Sequence, residues 1–377
     1  MIRKGDVQWW ILETRKHPEA AQLAIQVLAE RITELDAENE HLRNELLRAR
    51  QRGSTEIDSG QVKTLRAKIE KLEYLLKSQA PAEPMLVLLS QELDQARIPL
   101  STVHDLAKAK QIPLNNRALL SLRSLLIARP HDELLYITNQ GRGLKQLVPD
   151  VPPLIENGRW PGATGNPLAD GERLSAAISV DQAPRFWTIA TRKGYVQRFV
   201  RAALEREMNT GDPLLQSLLE RDEATAVVNG DRGDLLVLTR WGQANRFAHR
   251  TIEVQGSIAL DLEPGDEVVG ALTLSNDCEV LIVASNGRVM RRDTRQLPAR
   301  SKPGDTTGKG LIQNQDTKAI FGYQPQDWLL FLTASGQLHM ASTSDIPLLD
   351  RLGKGTQVCD LENDPAIAVT LIPKDLA

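Results

Sequence analysis

The sequence predicts a mainly β protein, a six-bladed disc of the β-propeller type preceded by an α-helical coiled coil. Three observations carry this prediction: a strand–turn–strand motif recurs along residues 85–377, a heptad pattern of apolar residues precedes it, and a Pro-containing segment separates the two. Four short strands in each unit, repeated six times, are typical of a disc in which radial repetition protects the sheet edges. A β-sandwich, which requires no fixed period, is the alternative.

The amino-terminal region is predicted to form a helical stalk. No Pro or Gly falls between Glu19 and Arg52, and apolar residues recur every seven positions. Such a seam predicts a left-handed coiled coil, and one Asn at an a position favours a parallel dimer in a single register. The predicted dimerisation residues are Ile25, Leu28, Ile32, Leu35, Asn39, Leu42 and Leu46. The predicted divisions are a leading segment (1–18), the coiled coil (19–80, with a break near 52–60) and a linker (81–84).

Charges beside the seam support a parallel homodimer. Each g residue faces an opposite charge on the partner, in the pairs Arg31–Asp36, Glu38–Arg43 and Glu45–Arg50. A second apolar seam begins at Val62, out of phase with the first. Three arrangements stay open: a dimer that continues past the break, a second helix that folds back as a hairpin, and a helix pair that packs on the main domain.

The repeat region, residues 85–377, is defined by its turn glycines. Each glycine follows an apolar strand and a Thr or Ser, and occupies the position at which a tight hairpin needs a positive φ. The glycines are separated by 53, 48, 45 and 49 residues, at Gly141, Gly194, Gly242, Gly287 and Gly336. A degenerate copy without the glycine begins at Met85. A Gly-led strand forms the second half of each repeat, most clearly from Gly256.

Two repeats carry a family resemblance. They read LLVLTRWGQANRF with VQGSIALDLEPGDEVVGAL, and EVLIVASNGRVMRR with GDTTGKGLI. These units resemble the C-terminal domain of the A subunit of bacterial DNA gyrase and of its topoisomerase IV counterpart. The resemblance implies a six-bladed β-pinwheel that bends duplex DNA around its rim through backbone contacts. The basic Gly-rich box of that family is matched only in part, by residues 302–310 and 351–355.

Catalytic motifs are missing from the sequence. No tyrosine follows an arginine, as the strand-cleaving tyrosine of the family does, and Gly308-Lys309-Gly310 lacks the spacing of a phosphate-binding loop. Two cysteines form no metal-binding pattern, and no apolar run reaches 18 residues. We therefore predict no enzymatic activity, no cofactor, no metal site and no membrane span.

The candidate DNA face comes from the local distribution of charge. The net charge is only −3, and residues 85–377 hold 32 basic and 35 acidic side chains. A basic residue nevertheless lies four positions after four of the turn glycines, at the repeated basic position (Lys145, Arg198, Arg246 and Arg291). The full predicted DNA-binding set is Arg142, Lys145, Arg192, Lys193, Arg198, Arg201, Arg240, Arg246, Arg250, Arg288, Arg291, Arg292 and Arg295.

Acidic residues are expected on another surface, in clusters such as 220–223 and 263–267. Trp187, Trp241 and Trp328 are expected in the core of a blade or in the packing between blades, rather than as base-stacking groups.

The function predicted from these features is that of a non-enzymatic DNA-binding or DNA-bending protein, architectural or accessory to a topoisomerase. It would contact double-stranded DNA without sequence preference and dimerise through the coiled coil, and a further partner would be one of the subunits of a topoisomerase. The predicted location is cytoplasmic and nucleoid-associated. The alternative is a protein-interaction scaffold whose disc has lost DNA binding.

Overall fold

The computed structural model describes residues 83–154, 159–161, 168–181, 183–215, 222–304, 306–313 and 315–376. The predicted coiled coil and its dimerisation residues lie outside these ranges. Within them the chain forms six antiparallel sheets and three α-helices. No helix in the described ranges is long and apolar enough to cross a membrane.

The three main strands of each sheet follow one another along the chain. In the first three sheets they are β1 (Met85–Ser90), β2 (Gln95–Pro99) and β3 (Leu122–Ala128); β4 (Glu133–Thr138), β5 (Gly143–Leu147) and β6 (Leu174–Val180); and β7 (Phe186–Thr191), β8 (Tyr195–Val200) and β9 (Ala224–Asn229). In the last three sheets they are β10 (Asp234–Thr239), β11 (Gln243–Ala248) and β13 (Val268–Leu274); β14 (Glu279–Ala284), β15 (Arg288–Asp293) and β17 (Thr317–Gly322); and β18 (Trp328–Thr333), β19 (Leu338–Ser342) and β21 (Ala366–Ile372).

Short outer strands and helices complete the described chain. The outer strands are β12 (Ser257–Ile258), β16 (Lys309–Gly310) and β20 (Thr356–Gln357), and the helices are α1 (Leu100–Ala109), α2 (Asn116–Ser121) and α3 (Arg201–Thr210). Each outer strand belongs to one repeat but completes the sheet of the repeat before it. Strand β12 pairs with β8, β16 with β11, and β20 with β15. Consecutive repeats therefore exchange a strand.

The turn motif has a side-chain component as well as the glycine. In the fourth sheet Gly242 adopts a φ of +80°, as the sequence predicts. The hydroxyl of Thr239 accepts a hydrogen bond from the amide of Gln243 at 3.1 Å, which closes the turn. The equivalent bonds run from Arg142, Tyr195 and Gln337 to Thr138, Thr191 and Thr333. This bond explains why a threonine precedes most of the turn glycines.

The apolar strands are buried on both faces because each sheet is packed between two others. Residues 235–238 of β10 are fully buried. Leu236 and Leu238 pack toward the fifth sheet, whereas Leu235 and Val237 pack toward the third. Six apolar clusters of this kind separate neighbouring sheets, including one between the first and the last. Burying one such side chain contributes about 1.5–3 kcal/mol.

The sheets form a closed series in which the last contacts the first. Strands β3, β6, β9, β13, β17 and β21 touch in that order, and β21 contacts β3. Each turn glycine also accepts an amide hydrogen bond from the following repeat, for example from Leu311 to Gly242 at 2.8 Å. The last of these bonds runs from Ile112 of the first repeat to Gly336 at 3.1 Å. The degenerate first repeat therefore joins the two ends of the series.

The prediction of four strands in every repeat is confirmed in three sheets and is wrong in the other three, within the residues described. In the second sheet, Pro213 occupies the place of the outer strand and forms a single bridge with Arg142. Proline has no amide hydrogen to continue a ladder, so pairing stops there. Helix α3 packs beside β5 in place of further strand. The predicted degenerate repeat from Met85 is present as the first sheet, with α1 and α2 between its second and third strands.

Candidate nucleic-acid interface

The repeated basic position lies at the same rung of each central hairpin. Its side chains are opposite the third residue of the preceding strand, so that Arg246 is opposite Leu236 and Arg291 is opposite Leu281. Lys145 and Arg198 occupy the corresponding rung in the second and third sheets. The constant offset in sequence thus corresponds to a constant place in the fold.

In the fourth sheet, this position holds a largely buried ion-pair cluster. Arg246 contacts Asp234 at 2.8 Å and Asp277 at 2.7 Å, and its side chain is only 9% exposed. It also donates to the carbonyl oxygen of Thr294 in the next repeat at 3.1 Å. Burial opposes its charge, but hydrogen bonds to Asp277 and Asp234 outweigh burial and raise the pKa of Arg246. The guanidinium therefore ties one repeat to the next.

The fifth sheet repeats this arrangement. Arg291 pairs with Glu279 at 2.6 Å and donates to the carbonyl oxygen of Ile346 in the sixth repeat at 2.9 Å. Its guanidinium carbon lies 3.7 Å from the centre of the Tyr323 ring. The acidic partner is again the first residue of the hairpin, as Asp234 is in the fourth sheet.

The second and third sheets use variations of the same contact. Lys145 lies 3.0 Å from Glu133, the first residue of its hairpin, and 3.4 Å from Glu205 of α3. In the third sheet the first hairpin residue is Phe186, and the guanidinium of Arg198 lies 3.8 Å from its ring centre. Arg198 also donates to the carbonyl oxygen of Gly230 at 2.9 Å. A cation–π contact thus replaces the ion pair.

One member of this set is absent from the sequence-based prediction. Arg97 of β2 is opposite Val87, on the same rung of the first sheet. It donates to the carbonyl oxygens of Val148 at 3.1 Å and Pro149 at 2.9 Å in the second repeat. The first hairpin has no turn glycine, so counting from glycines does not find Arg97; counting from the third residue of β1 would. In the sixth sheet this rung holds Met340.

The predicted residues nearest the hairpin turns contact acidic side chains. Arg142 forms a two-point ion pair with Glu172, with contacts of 3.0 and 2.5 Å. The Glu172 side chain is fully buried, and burial alone would raise its pKa. Hydrogen bonds, of which the strongest comes from Arg142, outweigh burial, so the pKa of Glu172 is lowered. The exposed Lys193 donates its backbone amide to Asp222 at 2.9 Å.

Two further arginines near the turns share one carboxylate. Arg192 lies 3.4 Å from Glu223 and 3.8 Å from Glu267, which is also 3.8 Å from Arg240. Arg240 is held most closely by Asp316, at 2.7 Å. The expectation that acids and bases occupy separate surfaces is therefore wrong at these turns. Strand β9 pairs antiparallel with β7, and β13 pairs antiparallel with β10. The residues just before β9 and β13 therefore lie beside the turns that follow β7 and β10, where the acids of residues 222–223 and 266–267 meet these arginines.

The other predicted residues range from buried to fully solvated. Arg292 is 4% exposed and donates to the carbonyl oxygen of Leu349 at 3.3 Å, and burial lowers its pKa. Arg288 is half-buried and lies 3.4 Å from the carbonyl oxygen of Gly355. The solvent-exposed residues of the set are Lys145, Lys193, Arg201, Arg240, Arg250 and Arg295.

A second group of exposed cations surrounds the outer strands β16 and β20. We call it the outer basic edge, and it consists of Arg295, Arg300, Lys302, Lys309, Arg351 and Lys354. Its two chain segments are neighbours, because Gln296 donates to Asp350 at 2.9 Å and Gln313 donates to the carbonyl oxygen of Gly353 at 2.8 Å. All but Arg295 fall outside the predicted site set, although the partial Gly-rich box contains Lys302, Lys309, Arg351 and Lys354.

The tryptophan prediction is confirmed in part. Trp187 is buried, and Trp328 packs against the core between the first and last sheets. Trp241 is 42% exposed, so its prediction as a core residue is wrong. It lies on a hairpin turn, and its ring is 3.6 Å from the point that a Cβ atom on Gly265 would occupy. Among the residues described, no group of three His, Cys, Asp or Glu side chains could hold a metal ion.

A ring of small antiparallel sheets that exchange outer strands is the architecture of a β-pinwheel. The family model described as "DNA gyrase C-terminal domain, beta-propeller" matches residues 255–275 and 327–373. The A subunit of DNA gyrase from Haloquadratum walsbyi is 26% identical over 66% of this chain and 31% of its own length. The A subunit of DNA gyrase from Staphylococcus aureus is 26% identical over 78% of this chain and 35% of its own length.

Two solved structures share the fold. A DNA gyrase A C-terminal domain superposes with a TM-score of 0.61 at 18% identity, covering 77% of this chain and all of that domain. The C-terminal domain of a DNA topoisomerase IV superposes with a TM-score of 0.52 at 17% identity, covering 78% of this chain and 94% of that domain. The chain thus resembles the C-terminal domain of the DNA gyrase A protein, and it spans about a third of the length of the curated relatives it matches.

Proposed function

We propose that this protein binds duplex DNA through its phosphate backbone and acts, without enzymatic activity of its own, as an architectural protein or topoisomerase accessory. The six sheets would be the blades of one pinwheel around which DNA bends. The observation that carries the proposal is the outer basic edge, a group of exposed cations on a fold shared with the gyrase A C-terminal domain.

The chemistry of the outer basic edge suits phosphates. Lysine and arginine at a solvated surface neutralise phosphate charge and release counterions, which gives affinity without reading base sequence. Arg295 remains 74% exposed although it pairs with Asp293, so its guanidinium can still reach a second anion. Among the predicted residues, we assign direct contact to the exposed ones, and an indirect, shape-maintaining role to the three arginines of the repeated basic position, Arg198, Arg246 and Arg291.

The stalk adds a second element to the proposal. A parallel coiled coil through the heptad seam would join two pinwheels in one homodimer, and two modest DNA surfaces on one molecule gain avidity without any new contact. The dimer could then bridge two duplex segments. A protein acting this way would be found with DNA, at the nucleoid.

Binding of a duplex fragment across a salt series tests the DNA contact. The triple variant Arg300→Glu, Lys302→Glu and Lys309→Glu removes three cations of the outer basic edge. We expect weaker binding to all sequences alike, and a slope of log K against log[salt] that is shallower by roughly 2 to 3, since each neutralised phosphate contributes about 0.9. The control variant Lys108→Glu, Arg117→Glu and Arg206→Glu changes the same charge at exposed positions elsewhere.

Equal affinity and slope in the two triple variants would remove the outer basic edge from the proposal. Absence of duplex binding by the wild-type protein at low salt would favour the alternative, a protein-interaction scaffold. Capture of a protein partner after nuclease treatment would then support that alternative. Relaxed circular DNA incubated with the protein and a helper topoisomerase reports any wrapping and its handedness.

A further inference from the structure

A cavity of about 330 Å³ lies at the centre of the ring of sheets. Its wall is built from the inner strands of all six sheets, β3, β6, β9, β13, β17 and β21, or from residues adjoining them. The charged side chains that reach it are Arg123, Arg192, Lys318, Glu223 and Glu267. A volume of this size is within the range of small-ligand sites, about 300–1,000 Å³.

Arg123 is the cation lining this cavity that has no carboxylate partner among the residues described. Its Nε donates to the carbonyl oxygen of Ser175 at 2.9 Å, which fixes the direction of the guanidinium. The Arg123 side chain remains exposed to solvent, so its other N–H groups are accessible from the cavity.

The acidic side chains around the cavity are already shared between bases. Glu223 lies 3.3 Å from Arg173 and 3.4 Å from Arg192. Asp316 lies 2.7 Å from Arg240 and 3.2 Å from Lys318. With Glu267 between Arg192 and Arg240, these contacts form an alternating chain that crosses from the second to the fifth sheet and begins and ends on a cation. Arg123 adds a further positive charge, so the cavity carries an excess of positive charge.

We propose that the central cavity binds a small phosphate-type oxyanion, anchored by the guanidinium of Arg123. A planar guanidinium presents paired N–H donors that match two oxygens of a phosphate group. The cavity is far too small for a duplex, so this site is separate from the outer basic edge and would take a free phosphate or the phosphate of a mononucleotide.

Thermal unfolding of the full chain without DNA tests the site. Inorganic phosphate should raise the midpoint of wild-type unfolding more than sodium chloride of equal ionic strength, because a ligand that binds only the folded state stabilises it. Arg123→Gln, which keeps a polar side chain, should reduce the difference to the general stabilising effect of phosphate salts, whereas Arg206→Gln, a change at an exposed arginine of α3, should leave it unchanged. Circular dichroism of Arg123→Gln verifies that the variant is folded.

Calorimetric titration separates the two sources of the anion. Adenosine monophosphate that binds at least tenfold more tightly than inorganic phosphate would identify a nucleotide site, and equal affinity would identify a site for free phosphate. We expect Arg123→Gln to weaken either ligand at least tenfold. The proposal is overturned if phosphate stabilises no more than chloride does, or if Arg123→Gln binds as wild type. Should Arg123→Gln be unfolded, Arg123→Lys replaces it and should bind phosphate more weakly than wild type does.

Discussion

Arginine side chains near the hairpins of this protein have different structural roles. Arg246 is buried against two carboxylates and a carbonyl oxygen of the next repeat, whereas Arg295 pairs with one carboxylate and remains 74% exposed. A buried cation that loses its counter-charge, or a buried carboxylate that loses its cation, is costly to the folded state. The two residues therefore offer a matched comparison between a structural and a solvated arginine.

The variant Arg246→Met should lower the free energy of unfolding by about 3 kcal/mol, because it leaves Asp234 and the carbonyl oxygen of Thr294 without their donor. The variant Arg295→Met should change it by no more than about 0.5 kcal/mol, as is usual for exposed pairs. Urea-induced unfolding of both variants measures the difference. Equal stabilities would show that Arg246 does not tie the repeats together.

A buried histidine makes stability depend on pH. His249 is 1% exposed and lies between the hydroxyls of Thr188, at 2.9 Å, and Thr273, at 3.1 Å. Burial, with a smaller effect from Arg198, lowers its pKa to about 4. Between this pKa and the ordinary value of about 6.5 the unfolded chain binds more protons than the folded one, so stability falls as pH falls.

Between pH 7.5 and 5 we expect His249 to account for a loss of about 2 kcal/mol in the free energy of unfolding. The variant His249→Gln should be less stable at pH 7.5, and its stability should fall less over that interval. Urea unfolding of both proteins at the two pH values gives the comparison. The same pH dependence in both proteins would show that His249 is not the group responsible.

The repeating secondary-structure unit of this fold is the hairpin with its turn glycine. Gly287 has a φ of +80°, and a Cβ atom there would lie 2.2 Å from the carbonyl oxygen of Cys359 in the next repeat. Gly322, at the end of β17, has no heavy atom within 4 Å of the same point. One glycine is required both by its own backbone and by the neighbouring chain, and the other by neither.

Gly287→Ala should destabilise the protein by more than about 2 kcal/mol, because left-handed backbone alone costs about 1 kcal/mol or more and the close approach adds to it. Gly322→Ala should be neutral or slightly stabilising, by up to about 1 kcal/mol, since it reduces the freedom of the unfolded chain. Chemical unfolding of the two variants decides the matter. A mild effect at Gly287 would mean that the exchange of strand β20 tolerates displacement.

For the whole molecule, we propose that the dimer and the arrangement of charge together set which DNA the protein binds. The heptad seam predicts a parallel homodimer, in which Leu28 and Leu35 occupy d positions and Ala37 an outward f position. Leu28→Asp with Leu35→Asp should convert the protein to a monomer and weaken its binding to long DNA more than to a short fragment. Sedimentation equilibrium measures the mass, and Ala37→Asp is the control. A dimer that persists in the double variant would place the dimer contact elsewhere.

Much of the fold is predictable from local patterns. The turn glycines, the apolar first strands of the hairpins and the Gly-led outer strands all lie where the repeat predicts them, because positive φ and burial on both faces restrict the residues allowed. The replacement of the outer strand by Pro213 and α3 in the second sheet is harder to predict, since it depends on what the following repeat supplies.

The candidate DNA-binding site is harder to predict from the sequence than the fold is. The regular offset of Lys145, Arg198, Arg246 and Arg291 indicates a repeated role, but whether that role is solvent contact or packing depends on the neighbouring repeat. Acidic or aromatic partners lie twelve residues earlier at the start of each hairpin, and carbonyl acceptors lie in the next repeat. The acidic or aromatic partners lie on the same hairpin, but the carbonyl acceptors become visible only when the sheets are placed side by side.

Local sequence patterns are enough to predict the repeat, its hairpins, the mainly β class and the heptad pattern, because these follow from backbone conformation and from the period of apolar residues. The folded ring is needed to show which cations face solvent, which acids neutralise them at the turns, how the first repeat meets the last, and that Arg123 faces a central cavity. The physical reason is that burial and ion pairing are properties of neighbouring sheets, and those neighbours are brought together only when the ring is formed.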